Sequence, residues 1–208
     1  MAECFFDAPG PGRWEAFHSY LEGNDEAEAY ARFRAAMESE GVGERRRPGG
    51  RFQTPAERYH LYCQWQMEEQ LTAAALSSDG SGLFLDMPVG VHPHGFDTQR
   101  WPQLFLHGLS SGAPPDAFFS LGQDWECPPL HPERGRESGH SYFAAALRRQ
   151  MAHARYLRVD HVMALHRLFV IPVGAEPSAG TYLHYPAEES YAVLALESQR
   201  SRTAVVGE

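Results

Sequence analysis

Hydrophobic and polar positions follow a helical spacing early in the chain and form short apolar runs later. Residues 13–40 are acidic and helix-prone, whereas residues 41–50, with four glycines, three arginines and a proline, predict a loop. Residues 54–76 predict a long helix, because Thr54 can cap it and Glu57 can return a hydrogen bond to the cap. The apolar stripe of this helix, which indicates core packing, consists of Tyr62, Trp65, Met67 and Leu71.

Three short apolar runs predict strands, at residues 83–87, 156–160 and 203–207. Further helical patterns cover residues 139–155, 162–169 (a short helix or turn) and 186–199. Residues 88–137 hold eight prolines and six glycines and predict a long loop, which is uncommon in a compact domain unless the loop has a function.

The order of strands and helices predicts a parallel sheet with covering helices. Right-handed crossovers would place the carboxyl ends of all three strands on one rim. Asp86, Asp160 and Glu208 each lie at or just after a strand end. Because chemistry in parallel sheets and barrels occurs at that rim, the three carboxylates are the first indication of a functional site.

Three strands are fewer than the eight that a parallel barrel needs, and a sheet of three would leave an apolar edge unpaired. We therefore expect the chain to be part of a larger protein. Its predicted division is an acidic, helical N-terminal segment with a loop, residues 1–53, followed by a partial catalytic domain, residues 54–208.

Composition narrows the classes of function. The chain has 208 residues, 43% of them hydrophobic, which is typical of a globular protein, and its net charge of −9 disfavours nucleic-acid binding. All 18 basic residues are arginines, so lysine-dependent Schiff-base and phosphate-loop chemistry is excluded. The three isolated cysteines indicate a reducing compartment, and the absence of a long apolar stretch indicates a cytoplasmic protein without a membrane partner.

Asp160 and Glu208 are 48 residues apart, about the length of one strand–helix–strand unit, which predicts neighbouring strands. Two close carboxylates do not both ionise freely, so one can act as nucleophile while the other donates a proton. Retaining glycoside cleavage uses this pair at a separation of roughly 5–5.5 Å, and Arg158 can keep Asp160 ionised. The alternative is a structural Arg158–Asp160 ion pair with Glu208 as a solvated terminus.

A second group of candidates lies in the proline-rich segment. Gln123 offers an amide with a donor and an acceptor, Trp125 offers a flat apolar face for a sugar ring, and Asp116 can accept hydrogen bonds from hydroxyls. The alternative is a rigid surface loop with a half-buried tryptophan.

His92 and His94 support a rival interpretation, a metal site of a barrel hydrolase. His161, Asp160 or His184 would have to supply the remaining ligands. Pro93 disturbs the strand spacing that would direct both imidazoles the same way, and neither a metal nor another cofactor is expected.

Eight motifs in order resemble the 4-α-glucanotransferases, also called amylomaltases or disproportionating enzymes. They are LFLDMPVGV from residue 83, GAPPD from 112, GQDW from 122, LRVDH from 157, LFVIP from 168, GTYLHYP from 180, ALES from 195 and VVGE from 205. The resemblance covers about residues 54–208.

The family is a retaining (β/α)₈ barrel that transfers α-1,4-glucan segments between maltooligosaccharides, with glucose as a possible acceptor and without a cofactor. The resemblance therefore implies an α/β fold, namely part of such a barrel, about strands three to five, behind a helical N-terminal segment. A catalytically incompetent glucan-binding fragment is the main alternative.

The resemblance also implies residue roles. Asp160 would be the nucleophile, Glu208 the general acid/base, and Arg158 the arginine that precedes the nucleophile. The residues implied to contact substrate are Asp86, Asp116, Gln123, Trp125 and His161.

The sequence departs from the family in two places. Glu126 and Cys127 follow Trp125 where the family usually has glycine and an apolar residue, which leaves the shape of that loop open. The motif that ends at Glu208 normally continues, and the third essential carboxylate of the family lies further downstream.

Overall fold

The computed structural model describes residues 1–39, 54–77 and 82–208, so the predicted loop at residues 41–50 lies outside the described residues. The chain forms two compact units, Met1–Ala74 and Ala75–Glu208. The division predicted after residue 53 stays a prediction, since it falls at the edge of residues that are not described.

The described residues of the N-terminal unit form helices joined by short turns. Its helices are α1 (Ala2–Asp7), α2 (Pro11–Glu22), α3 (Ala27–Ser39) and α4 (Pro55–Ser77). The helix-prone stretch at 13–40 thus holds two helices, because the chain turns at Gly23 and the side-chain amide of Asn24 donates to the carbonyl of Tyr20. Phe17 and Trp65 are buried at the centre of the unit, with ring centroids 5.4 Å apart.

The predicted start of α4 is confirmed. The Thr54 hydroxyl accepts the backbone N–H of Glu57 at 3.1 Å, and the Glu57 carboxylate accepts the N–H of Thr54 at 3.4 Å. Of the predicted core stripe, Trp65 is buried, whereas Met67 is 57% exposed, so for that residue the prediction is wrong. A single α-helical face is too narrow to bury positions 65 and 67 together, since residues two apart do not share a face.

The C-terminal unit alternates strands and helices. Its strands are β1 (Leu83–Met87), β2 (Leu109–Ala113), β3 (Gln123–Asp124), β4 (Ala154–Val159), β5 (Arg167–Pro172), β6 (Thr181–His184) and β7 (Ala204–Gly207). Its helices are α5 (Phe96–Arg100), α6 (Pro132–Glu137), α7 (Ser141–Met151) and α8 (Ala187–Ser201), and 3₁₀ turns cover Pro102–Leu104, Val162–Leu165 and Pro177–Ala179.

The predicted parallel sheet is confirmed. Its strand order is β1-β4-β7, and both strand pairs are parallel. Leu157 and Val159 of β4 face the helix layer, where they form a core with residues of α7 and α8. This core consists of Leu147, Met151, Leu157, Val159 and Leu194. Among the described residues, no helix is long and apolar enough to cross a membrane.

A second, antiparallel sheet with the order β3-β2-β5-β6 was not predicted. It takes β2 and β3 from the predicted loop at 88–137, and β5 begins inside the predicted short helix at 162–169, which ends at Leu165. The sequence of β2, with two serines and a glycine, lacks the alternation that marks a strand. Gly112 instead permits close approach, since a Cβ there would lie 2.1 Å from the carbonyl oxygen of Gln123.

A buried carboxylate joins α7 to α8. The side chain of Glu197, which is 2% exposed, accepts hydrogen bonds from Arg148 at 2.8 and 3.1 Å and from Arg200 at 2.9 Å. The hydrogen bond from Arg148 is the main cause that holds the pKa of Glu197 below its usual value.

We expect Glu197→Gln to lower the free energy of unfolding by about 1 kcal/mol at pH 7, because two guanidinium groups lose a charged acceptor. A carboxylate whose pKa is lower in the folded state stabilises the fold above its unfolded pKa, and this contribution is lost as the pH falls through the folded value. Urea unfolding at pH 7 and at pH 3–4 should therefore show variant and wild type converging in acid. Glu188→Gln, at an exposed position of the same helix, is the control, and equal stabilities at pH 7 would contradict the prediction.

Candidate active site

The parallel sheet brings the three predicted carboxylates to one rim. Asp86 lies in β1, and Asp160 and Glu208 follow the last residues of β4 and β7. The backbone ladder continues past the strand ends, since Asp160 N–H donates to the carbonyl of Met87 at 3.0 Å and Glu208 N–H donates to that of Val159 at 3.1 Å. The Glu208 carbonyl in turn accepts the N–H of Val162 at 2.6 Å. The backbone at both carboxylates is therefore fixed relative to β4.

One guanidinium contacts all three carboxylates. Nη1 of Arg158 donates to both oxygens of Asp86 at 2.6 and 2.8 Å, and Nη2 lies 2.9 Å from Oδ1 of Asp160 and 3.1 Å from Oε2 of Glu208. Two oxygens this close to one nitrogen are at most about 6 Å apart, a limit that includes the separation of roughly 5–5.5 Å in retaining glycosidases. The alternative interpretation expected an Arg158–Asp160 ion pair with Glu208 apart from it. The ion pair is present, but Glu208 contacts the same guanidinium.

The charge balance of the cluster is negative, with three carboxylates around one cation. The hydrogen bond to Asp86 is the main cause that raises the pKa of Arg158 above its ordinary value, so the guanidinium is charged throughout the working pH range. The side chain of Arg158 is 28% exposed, whereas those of Asp86 and Glu208 are 60% and 62% exposed. The carboxylates are therefore accessible to a ligand while the arginine beneath them is held in place.

Gln123, Trp125 and His161 form a second group beside Asp160. The indole Nε1–H of Trp125 donates to Oε1 of Gln123 at 2.9 Å, and the indole ring meets the imidazole of His161 edge to face with centroids 4.9 Å apart. His161 directly follows Asp160 and has a left-handed backbone, with φ of 49°. The structure thus joins two residues from the proline-rich segment to a residue next to the carboxylate cluster.

Asp116 has a different local role. Its Oδ1 accepts the backbone N–H groups of Phe118 and Phe119 at 2.7 and 2.6 Å, so the carboxylate holds a turn of an exposed loop. Phe118, at the tip of that loop, is 92% exposed.

The histidine pair of the rival interpretation does not assemble a metal site. Nδ1 of His92 accepts the backbone N–H of His94 at 3.1 Å. Within residues 1–39, 54–77 and 82–208, no group of three or more His, Cys, Asp or Glu side chains is placed to hold a metal ion. The pair therefore lacks the further ligands that a zinc site requires.

Sequence reasoning missed a cavity of about 350 Å³ that adjoins Asp160 and His161. Two of its lining residues are half-buried tyrosines, Tyr142 and Tyr185, whose hydroxyls donate to the Asp97 carboxylate and to the carbonyl of Leu130. Burial raises the pKa of both phenols. The lining comes from widely separated segments of the chain, so no local pattern could have indicated it.

Removal of Arg158 should make stability depend on the ionisation of the carboxylates. In Arg158→Leu the three acidic side chains repel one another once they are charged, so we expect the Tm deficit relative to wild type to grow by about 2–4 °C between pH 4 and pH 7. Calorimetry over this pH range measures the difference. Arg155→Leu, at an exposed position of the same strand, should show no such pH dependence. A deficit for Arg158→Leu that is equal at both pH values would contradict the prediction.

Comparisons with known protein families and with curated proteins all match one family. A family model described as 4-alpha-glucanotransferase, glycoside hydrolase family 77, matches residues 3–208. A 4-alpha-glucanotransferase of Mycobacterium tuberculosis is 42% identical over 154 residues, which are 72% of this chain and 21% of the relative. The enzyme of Haemophilus influenzae is 37% identical over 154 residues, 72% of this chain and 22% of the relative. The chain thus spans about a fifth of the length of the curated relatives it matches.

Solved structures show the same likeness. Amylomaltase from Corynebacterium glutamicum superimposes with a TM-score of 0.89 at 32% identity, over 99% of this chain and 30% of that one. Amylomaltase from Streptococcus agalactiae, in complex with acarbose, superimposes with a TM-score of 0.81 at 19% identity, over 96% of this chain and 45% of that one. The predicted fold class, part of a (β/α)₈ barrel with a helical N-terminal segment, is confirmed.

Proposed function

Since this chain belongs to the 4-alpha-glucanotransferase family, we propose that the whole protein transfers α-1,4-glucan segments between maltooligosaccharides by a retaining double displacement. The observation that carries the proposal is the contact of Arg158 with Asp86, Asp160 and Glu208 at the carboxyl ends of three adjacent parallel strands. The two contacts of Nη2 keep one oxygen of Asp160 and one of Glu208 within about 6 Å of each other, a limit that is compatible with the separation used in retaining cleavage.

In the first step Asp160 attacks the anomeric carbon of the donor glucan, and Glu208 protonates the departing glycosidic oxygen. The hydrogen bond from Nη2 of Arg158 to Oδ1 of Asp160 at 2.9 Å supports the role of Asp160, because it fixes the orientation of the attacking carboxylate. The products are a covalent glucosyl ester on Asp160 and a free shortened glucan.

In the second step Glu208 removes a proton from the 4-hydroxyl of an acceptor, which attacks the ester and regenerates Asp160. Two inversions at one carbon retain the α configuration. Neither step needs a metal or an organic cofactor. The acceptor can be another maltooligosaccharide or glucose.

The remaining candidates are proposed to hold the glucan. Asp86 would contact the reacting sugar, and Gln123, Trp125 and His161 would line the groove, with the indole face as a stacking surface. Asp116 would accept hydrogen bonds from sugar hydroxyls at the exposed loop. Transfer is favoured over hydrolysis when an acceptor sugar occupies this groove and excludes water.

A protein that binds glucan without turnover is the second candidate. It is favoured by the contacts of Arg158 with Asp160 and Glu208, at 2.9 and 3.1 Å, since structural ion pairs make the same contacts. We also propose a cytoplasmic location, which is supported by the three free cysteines, Cys4, Cys63 and Cys127.

Maltotriose tests the reaction class. The full-length protein should convert it to glucose and longer maltooligosaccharides, which chromatography of the product mixture detects. Glucose and maltose without longer products would reassign the protein to hydrolysis. Binding of maltotriose without any product would favour the binding-only candidate.

Two variants test the proposed roles. Asp160→Asn and Glu208→Gln should each lower the disproportionation rate on the order of 10²–10⁴-fold, because one removes the nucleophile and the other the proton donor. Maltotriose binding, measured by calorimetry, should persist in both. Glu188→Gln, exposed on α8, is the matched control and should retain the wild-type rate. Activity of either test variant within threefold of wild type would remove that residue from the mechanism.

A further inference from the structure

The backbone at Glu126 has an unusual conformation for its residue type. Its φ is +55°, in the left-handed region that favours glycine because a side chain crowds the neighbouring carbonyl. A glycine would adopt this conformation without that crowding. The chain therefore needs another means to hold the same turn.

Asp124 supplies that means. Its Oδ1 accepts the backbone N–H of Glu126 at 2.9 Å, a bond from a side chain to the amide two residues on, which stabilises a tight turn. The same Oδ1 accepts the hydroxyl of Ser110, which is buried in the neighbouring strand β2. The carboxylate is thus fixed from two directions, by the turn that it holds and by the sheet.

The backbone on both sides of Glu126 is bonded to one residue of β2. The carbonyl of Ser111 accepts the N–H of Trp125 at 2.9 Å, and the N–H of Ser111 donates to the carbonyl of Cys127 at 2.7 Å. Glu126 lies between these two bonds, in the turn that follows β3, so its backbone conformation is enclosed by contacts with β2. Cys127 is itself confined, because a Cβ on Gly90 would lie 2.6 Å from its sulfur.

The turn determines where the indole of Trp125 lies. With the backbone fixed in this way, the ring is 4.9 Å from His161 and its Nε1–H reaches Gln123 at 2.9 Å. If Glu126 moved to a right-handed conformation, the turn after Trp125 would change direction, and we expect the ring to leave this position. The chain of contacts runs from Ser110 through Asp124 to Trp125 and ends beside Asp160.

We propose that Asp124 and Ser110 are positioning residues, a hydrogen-bonded pair that compensates for the non-glycine residue at position 126 and holds Trp125 against His161 to stack an α-1,4-glucan. The glucan part rests on the proposed function. The part that concerns the position of Trp125 is independent of it.

Two substitutions of Asp124 in the full-length protein distinguish the loss of its hydrogen-bond acceptor from the loss of its charge. Asp124→Leu removes both, whereas Asp124→Asn removes only the charge. The leucine variant loses the acceptor and should raise KM for maltotriose about three- to tenfold, the equivalent of one hydrogen bond, with kcat within twofold. The asparagine variant keeps a carbonyl oxygen for both donors and should stay within twofold in KM. If Asp124→Leu does not fold, Ser110→Ala provides the same comparison with a smaller change, and its KM should rise in the same direction.

A double variant tests the compensation itself. In the Glu126→Gly background the left-handed turn no longer needs support, so adding Asp124→Leu should raise KM by less than half of the factor seen in the natural background. An equal factor in both backgrounds would overturn the proposal, because Asp124 would then act by some route other than Glu126.

The ¹⁹F resonance of 5-fluorotryptophan at Trp125, assigned by its loss in Trp125→Phe, gives a readout that does not depend on activity. It should shift in Asp124→Leu, stay in place in Asp124→Asn, and return toward the wild-type position in the double variant. An unshifted resonance in Asp124→Leu would overturn the positioning role. If the wild type fails to disproportionate maltotriose but the resonance shifts as described, the proposed function is wrong. The positioning role of Asp124 and Ser110 is then still supported.

Discussion

The guanidinium of Arg158 permits three acidic side chains to meet at one rim of the sheet. Without a cation, Asp86, Asp160 and Glu208 would repel one another at distances where two like charges interact by about 1–4 kcal/mol. With it, each carboxylate has an oxygen within 3.1 Å of a guanidinium nitrogen. The strand order and register of the parallel sheet, and its packing on the helices, together fix the position of this side chain.

Strand β4 shows how packing and chemistry depend on each other. Leu157 and Val159 are buried against the helices, so Arg158 between them must face the opposite side of the sheet. The register then sets Asp86 on one side of Arg158 and Val206 on the other. A slip of one residue would bury the arginine and expose the leucine, so the same apolar core that stabilises the sheet also selects the register of the site.

Local sequence patterns were sufficient to predict the parallel sheet and the carboxylates at its rim. Apolar runs identified the three parallel strands, a capping box identified the start of α4, and strand ends identified the carboxylate cluster. The second sheet was not predictable in the same way, because the serines and the glycine of β2 are buried by contacts with β3 and β5 and not by a pattern of their own. Ser110 and Asp124 were missed for a related reason, since their hydrogen bond depends on the pairing of β2 with β3, which no sequence period marks.

Under the proposed function, the position of Trp125 affects how strongly the site favours transfer over hydrolysis. A covalent glucosyl ester reacts with whichever nucleophile reaches it first, water or a sugar hydroxyl. A sugar ring stacked on the indole brings a hydroxyl near the ester and also displaces water from the groove. The same contact therefore promotes attack by the sugar and hinders attack by water. An indole that samples several orientations would lose both effects together. A turn after Trp125 that is held by the Asp124 carboxylate would therefore serve the proposed chemistry as well as the fold.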